Sequence, residues 1–298
     1  MSATLTLGFV HGLDDLVLLV LLGSLVFRLL ILPAGGEQAV ALDPRIPARL
    51  RALLALALAG SIAWMLLSAA AMADSWLPSD VWTALQSTAF GHVWGLRTAV
   101  LLAAYAFGLP LLASNKGMHV LTAAILLLPL AGALTAHAGA QPEGAVWSIG
   151  LDWLHTLAVA VWAGGLYSLY HWLGALLGRP EATPVPAAAV IRRFSHIATA
   201  STAVIFVAGF CLAYRLGITW AAMVRSDYGR LLLLKIALLG VALVAASVNR
   251  YALLRRTDAL SDHSLARIVR RGVLVEIVFL TLIFGVTGFL ARTPLPMP

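Results

Sequence analysis

The stretch LDWLHTLAVAVWAGGLYSLYHWL, residues 151–173, decides the fold. It contains one acidic and no basic residue, and about 20 apolar residues wound as a helix cross a hydrocarbon core of about 30 Å. Comparable runs recur along the chain, at 10–32, 49–73, 94–114, 118–138, 196–215, 229–249 and 272–291. The reading is all-α: a polytopic membrane helix bundle of about eight transmembrane helices. Composition agrees, with 61% hydrophobic and 11% charged residues and a mean hydropathy of +0.94. Soluble domains carry about a quarter charged residues. The connections at Pro33–Pro47, Asp74–Asp80, Asn115–Gly117, Gln141–Gly144, Arg179–Pro186 and Ser261–His263 are too short to fold separately, so residues 1–298 form one integral membrane domain.

The first run has no basic segment before it and carries Asp14 and Asp15, which fits a permanent helix better than a cleavable signal peptide. Fourteen of the twenty Lys and Arg residues fall on one side if the N-terminus faces outward, among them Arg28, Arg49, Arg192, Arg193, Arg270 and Arg271. Positive charge marks the cytoplasmic side, so both termini are expected in the periplasm of a bacterial inner membrane. The same bias accounts for the net charge of +7 without nucleic acid, leaving membrane lipids as the surrounding partner. The single cysteine, Cys211, excludes an intramolecular disulfide and a multi-cysteine metal site.

On this topology the histidines fall into two layers. His11, His92, His137 and His155 lie at the outer face with Asp14, Asp15, Asp152 and Met72, whereas His119, His171, His196 and His263 lie at the inner face. Straight helices rising 1.5 Å per residue separate the layers by roughly 24 to 27 Å, too far for one ion to bridge. Imidazole suits copper, zinc and iron, and thioether sulfur favours cuprous copper, so His137, His155, His11, His92 and Met72 form a candidate outer copper site. His137 and His155 lead this set, because a short outer loop joins their helices. His171, His196, His119 and Glu276 are candidates for the path or an inner site, since ionisable groups within spans are functional candidates by default. Lys235 lies within a span as well. Gly164 and Gly165 after Trp162 mark a close helix contact, because small residues let helices approach. Most of the tryptophans, including Trp76, Trp82 and Trp147, read as interfacial anchors.

Several segments in order carry a resemblance: TAHAGA around His137, HTLAVAVWAGGLYSL from His155, RRFSHIATASTAVIFVAGF from Arg192, YGRLLLLKIALLGVALVAASVNRY from Tyr228, and RRGVLVEIVFLTLIFGVTGFLARTPLP from Arg270. Together they resemble the CopD/PcoD family of bacterial inner-membrane copper-resistance proteins, most clearly over 151–298. The resemblance implies copper uptake (Cu+ or Cu2+) from periplasm to cytoplasm, with a separate periplasmic copper-binding partner of the CopC type. It matches His137, His155, Trp162, Gly164, Gly165, Lys235 and Glu276 to patterned positions, and implies a basic or polar residue rather than a required histidine at His92.

Three mechanisms follow. The first is a copper permease, not an enzyme; the sequence has no Walker-type loop. A b-type cytochrome is the second, pairing His137 with His155 and His119 with His171 around two haems. The third is a membrane subunit that docks the copper chaperone without transporting.

Overall fold

The computed structural model describes residues 3–32, 45–112, 114–137, 139, 143–178, 187–256 and 262–296. The expected connection at Arg179–Pro186 lies outside these residues, as do 33–44 of Pro33–Pro47, 141–142 of Gln141–Gly144 and 261 of Ser261–His263. The described residues are helical throughout, without strands: α1 (Ala3–Val26), α2 (Ile46–Ala73), α3 (Pro78–Ser87), α4 (Ala89–Leu112), α5 (Asn115–Leu126), α6 (Pro129–Thr135), α7 (Ala145–Leu177), α8 (Ala187–Arg215), α9 (Trp220–Arg225), α10 (Asp227–Arg256) and α11 (Asp262–Leu290). Six helical stretches are long and apolar enough to cross a membrane: α2, α5 continued into α6, α7, α8, α10 and α11. The protein is therefore a polytopic membrane helix bundle. Two further long helices, α1 and α4, have 24 residues each. Both carry charge at mid-length, Asp14 and Asp15 on one and Arg97 on the other.

Several helices begin earlier than hydropathy alone places them, because polar and small residues can extend a helix beyond the apolar core. The run at 118–138 is a helix broken at Leu127–Leu128 and restarted by Pro129. A proline cannot donate to the preceding turn but suits the first position of a new one. The connection after α2 turns through Asp74, whose φ of +48° ends the helix in the left-handed region. It then forms α3, which is closed by a Ser75 Oγ to Asp80 Oδ2 hydrogen bond of 2.7 Å.

Helix α1 is the centre of the bundle, packed by α2, α7 and α11. Two glycine contacts allow this. A Cβ on Gly23 would run into the Ala160 carbonyl oxygen and lie 2.7 Å from Gly164 Cα, so α1 and α7 touch backbone to backbone. Near the other end of α1, a Cβ on Gly288 would run into the Gly8 carbonyl oxygen and lie 2.7 Å from Gly12 N. Small residues at such crossings gain dispersion contacts that lipid cannot offer a bulkier surface. Gly165 serves differently: its bare Cα seats the ring of Phe194 from α8. Leu21, Leu25, Leu166, Leu173 and Ile125 fill the interior.

By contrast α10 packs on α11 and leaves Val241, Val244 and Val248 exposed along another face. In a membrane these side chains meet acyl chains at no cost, so exposure of valine here is what the solvent dictates. Between α8 and α10 the bundle leaves a cavity of about 490 Å³.

Candidate metal path

A belt of polar side chains, those expected toward the outer face, crosses several helices. On α1, His11, Asp14 and Asp15 follow i, i+3, i+4 spacing and share a face. His11 Nε2 lies 3.7 Å from Asp15 Oδ2, and the His11 ring stacks on Trp64 of α2 at 4.3 Å between centroids. Asp14 is 1% exposed and its Oδ2 lies 2.8 Å from Nη2 of Arg97, itself 3% exposed, on α4. Arg97 also lies over the Trp94 ring at 4.2 Å, and the Trp94 indole N–H donates to Thr135 Oγ1 at 3.1 Å. Gly60 on α2 makes room for the carboxylate: a Cβ there would stand 3.0 Å from Asp14 Oδ1.

From Asp15 the belt continues into the second half of the chain. Asp15 and Asp152 of α7 both lie within electrostatic reach of the Lys235 ammonium on α10, and Lys235 reaches His155 as well. Tyr228, at the start of α10, lies in reach of Asp152 and presents its ring to His137 at 6.0 Å. An intramembrane lysine is less costly where carboxylates act on it electrostatically, as Asp15 and Asp152 do here.

His155 is held in a defined way. Its Nδ1 lies 2.9 Å from the Ile205 carbonyl oxygen on α8, so the ring donates Nδ1–H there and leaves Nε2 as a free lone pair. Gly209 permits the approach, since a Cβ at that position would lie 3.1 Å from His155 Cε1. A backbone carbonyl orienting one ring nitrogen while the other faces a cation is the usual second shell of a metal-binding histidine.

Other sequence-derived candidates take separate places. His92 is exposed on the first turn of α4, and Met72 is 48% exposed near the end of α2. At the opposite end, His171 lies against Tyr167 at 4.5 Å and Tyr170 at 5.5 Å. It lines a small cavity of about 40 Å³ with Ser24, Arg28 and Arg49. There α1 passes into a π-helical turn, Phe27–Ile31, from which Arg28 donates to the Leu112 carbonyl oxygen at 3.2 Å. Arg270 stacks on Tyr170 at 4.1 Å, so this end collects arginines. His119 and His196 are exposed, and His263 is half-buried.

Glu276 is 4% exposed and accepts a 2.6 Å hydrogen bond from Asn249 Nδ2. Both line the cavity between α8 and α10, with Arg250, Thr199 and Trp162 on the same wall. Glu276→Gln keeps an acceptor of the same shape and is expected to cost under about 1 kcal/mol. Glu276→Ala leaves the Asn249 amide unpaired and is expected to cost about 1–3 kcal/mol. Thermal unfolding of the two variants in detergent checks the difference.

Sequence reasoning placed Asp14, Asp15 and Asp152 at the outer level but did not pair Asp14 with Arg97. A lone arginine in one apolar run and an acidic pair in another were the available signal. No signal marked the Ile205 carbonyl as the partner of His155, because a backbone group leaves no side-chain trace.

A bundle whose intramembrane carboxylates, imidazoles and one ammonium form a layer is the kind built to handle a cation within the bilayer. Two family models match this chain: "Copper resistance protein D-like, N-terminal domain" over residues 1–147, and "Copper resistance protein D" over 188–290. The chain belongs to the copper-resistance protein D family. It is 28% identical over 292 residues to Copper resistance protein D of Pseudomonas syringae pv. tomato, covering 92% of this chain and 91% of that one. It is 27% identical over 177 residues to Copper transport protein CutJ of Bacillus subtilis, covering 58% of this chain but only 32% of that longer protein. No solved structure matches it significantly. Helix α7, with His155, lies mostly between the two matched regions.

Proposed function

We propose that this protein carries copper across the bacterial cytoplasmic membrane, from periplasm to cytoplasm. The bundle then has eight crossings, with α1 and α4 counted among them, and both termini are periplasmic. The observation that carries the reading is the run of the belt across both halves of the chain: Asp15 of the N-terminal half and Asp152 of the other lie within electrostatic reach of Lys235, as does His155. The family relationship supplies the metal. The arginine-rich end around His171 fits a cytoplasmic face by its positive charge.

In this reading copper is cargo. His155 Nε2 and His137 receive it at the outer face, and the carboxylates of the belt offset its charge. Lys235, already seated among those carboxylates, supplies a positive charge that the arriving ion must displace or share with. That competition favours entry of one ion at a time. Passage inward follows the α7 side of the bundle toward His171 and the Glu276 wall. A separate periplasmic copper-binding protein of the CopC type delivers the ion, as the family resemblance implies.

Copper accumulation by cells expressing the protein tests the assignment. His137→Ala combined with His155→Ala is expected to lower uptake by at least about tenfold, the scale on which lost ligands or their supports weaken metal sites. Uptake equal to that of the unmodified protein at equal membrane abundance would remove both histidines from the path.

A further inference from the structure

Besides the two family histidines, helix α1 carries an arrangement that the transport reading does not require. We infer that His11, Asp14 and Asp15 form a binding site of their own for a divalent copper ion. Its choice of metal rests on the copper reading above.

One donor atom from each of the three residues lies within 4.8 Å of the others. Metal–donor bonds of about 2.0–2.2 Å bring such atoms somewhat closer together, so a small side-chain rotation closes the site. The spacing is fixed by one helix turn, which a sequence change elsewhere cannot spoil. Trp64 holds the imidazole plane by stacking, and Gly60 keeps the space beside Asp14 Oδ1 clear.

Three atoms in the cluster are buried without a hydrogen-bond partner, His11 Nδ1 and both Asp14 carboxylate oxygens, of which Oδ2 has the ion pair with Arg97. Asp14 is almost wholly enclosed, and burial of an unsatisfied carboxylate oxygen is unfavourable unless a cation or donor meets it. Arg97 answers for Oδ2 alone. Ligating carboxylates are themselves held by outer partners, so Arg97 on Oδ2 and an ion on Oδ1 is a consistent division of one carboxylate. Arg97 pairs with Asp14, and Lys235 lies within electrostatic reach of Asp15, so an arriving cation competes with Lys235 for the Asp15 carboxylate.

The donors also select the oxidation state. Imidazole nitrogen and carboxylate oxygen suit Cu2+, whereas Cu+ prefers sulfur. Among nearby sulfurs, Met65 receives the Thr98 hydroxyl at 4.0 Å and Met72 is largely exposed. The donors that converge on α1 are therefore nitrogen and oxygen. The α1 site thus takes the oxidised ion at the mouth of the path.

The test is electron paramagnetic resonance of the full-length protein in detergent, titrated with Cu2+ in the His137→Ala/His155→Ala background. One equivalent of bound Cu2+ with mixed nitrogen and oxygen ligation is expected to remain there. Adding His11→Gln or, separately, Asp15→Asn is expected to weaken that binding at least tenfold. Both positions are less buried than Asp14, so either variant reports if the other fails to fold. Loss of the Cu2+ signal in the background alone, or wild-type affinity in the folded variants, would overturn the site. Cellular uptake reports on His137 and His155 independently, so failure of the transport reading leaves a distinct outcome.

Discussion

Arg97→Ala is expected to destabilise the protein by about 3–5 kcal/mol, the cost of stranding one partner of a buried ion pair. Asp14 and Arg97 are both enclosed, and their 2.8 Å contact joins α1 to α4 across the bundle. Removing the guanidinium leaves a carboxylate with neither water nor counter-charge, and strips the Trp94 face of its cation. Thermal unfolding in detergent, with membrane abundance alongside, checks this. The double variant Asp14→Asn/Arg97→Gln removes both charges and keeps hydrogen-bonding shapes, so it is expected to recover most of the loss. Equal unfolding temperatures for Arg97→Ala and the unmodified protein would show that the pair contributes nothing to the fold.

Gly23→Leu has the second large effect. Even the first carbon of the new side chain would collide with the Ala160 carbonyl and crowd Gly164, and these are backbone atoms that no rotamer change can move. Overpacking by a few methylenes usually costs about 1–3 kcal/mol. Here the upper end or more is expected, because α1 must part from α7. The separation would also pull His11, Asp14 and Asp15 away from Asp152 and Lys235, so copper uptake should fall with stability. Gly285→Ala is the matched control: nothing lies within 4 Å of a Cβ there, and replacing a helical glycine by alanine should be neutral or slightly stabilising. Equal behaviour of the two variants would mean that the α1–α7 crossing is not tight.

These two contacts also divide what could be read from the chain from what could not. The bundle was legible because a hydrocarbon solvent leaves few choices: backbone groups must satisfy one another, so each long apolar run becomes a helix. The expectation of two histidine layers rests on a related reason, since helical rise converts sequence distance into depth. Hydropathy was less informative about ends, as the broken α5–α6 run and the early start of α8 illustrate. It also said nothing of the π-helical turn at Phe27–Ile31, where the Leu32 N–H reaches the Phe27 carbonyl at 3.2 Å.

For the candidate site, sequence supplied the residue types and their depth. It put His137 and His155 first because a short loop joins their helices, whereas in the structure each faces a different neighbour. His155 is oriented by a carbonyl of α8 and His137 meets Tyr228 of α10. His11 stands with two aspartates of its own helix instead of with either. Depth is a property of one helix and can be read along it. Azimuth, the direction in which a residue looks around the axis, depends on which helices surround it. The amino-acid sequence by itself thus determined an all-helical membrane bundle and the imidazoles and carboxylates available within it. Only the tertiary structure decided that Arg97 answers Asp14, that Lys235 comes within electrostatic reach of Asp15 and Asp152, and that Gly23 meets Gly164. Those pairings are fixed by helix packing between residues far apart in the chain, and no local pattern encodes them.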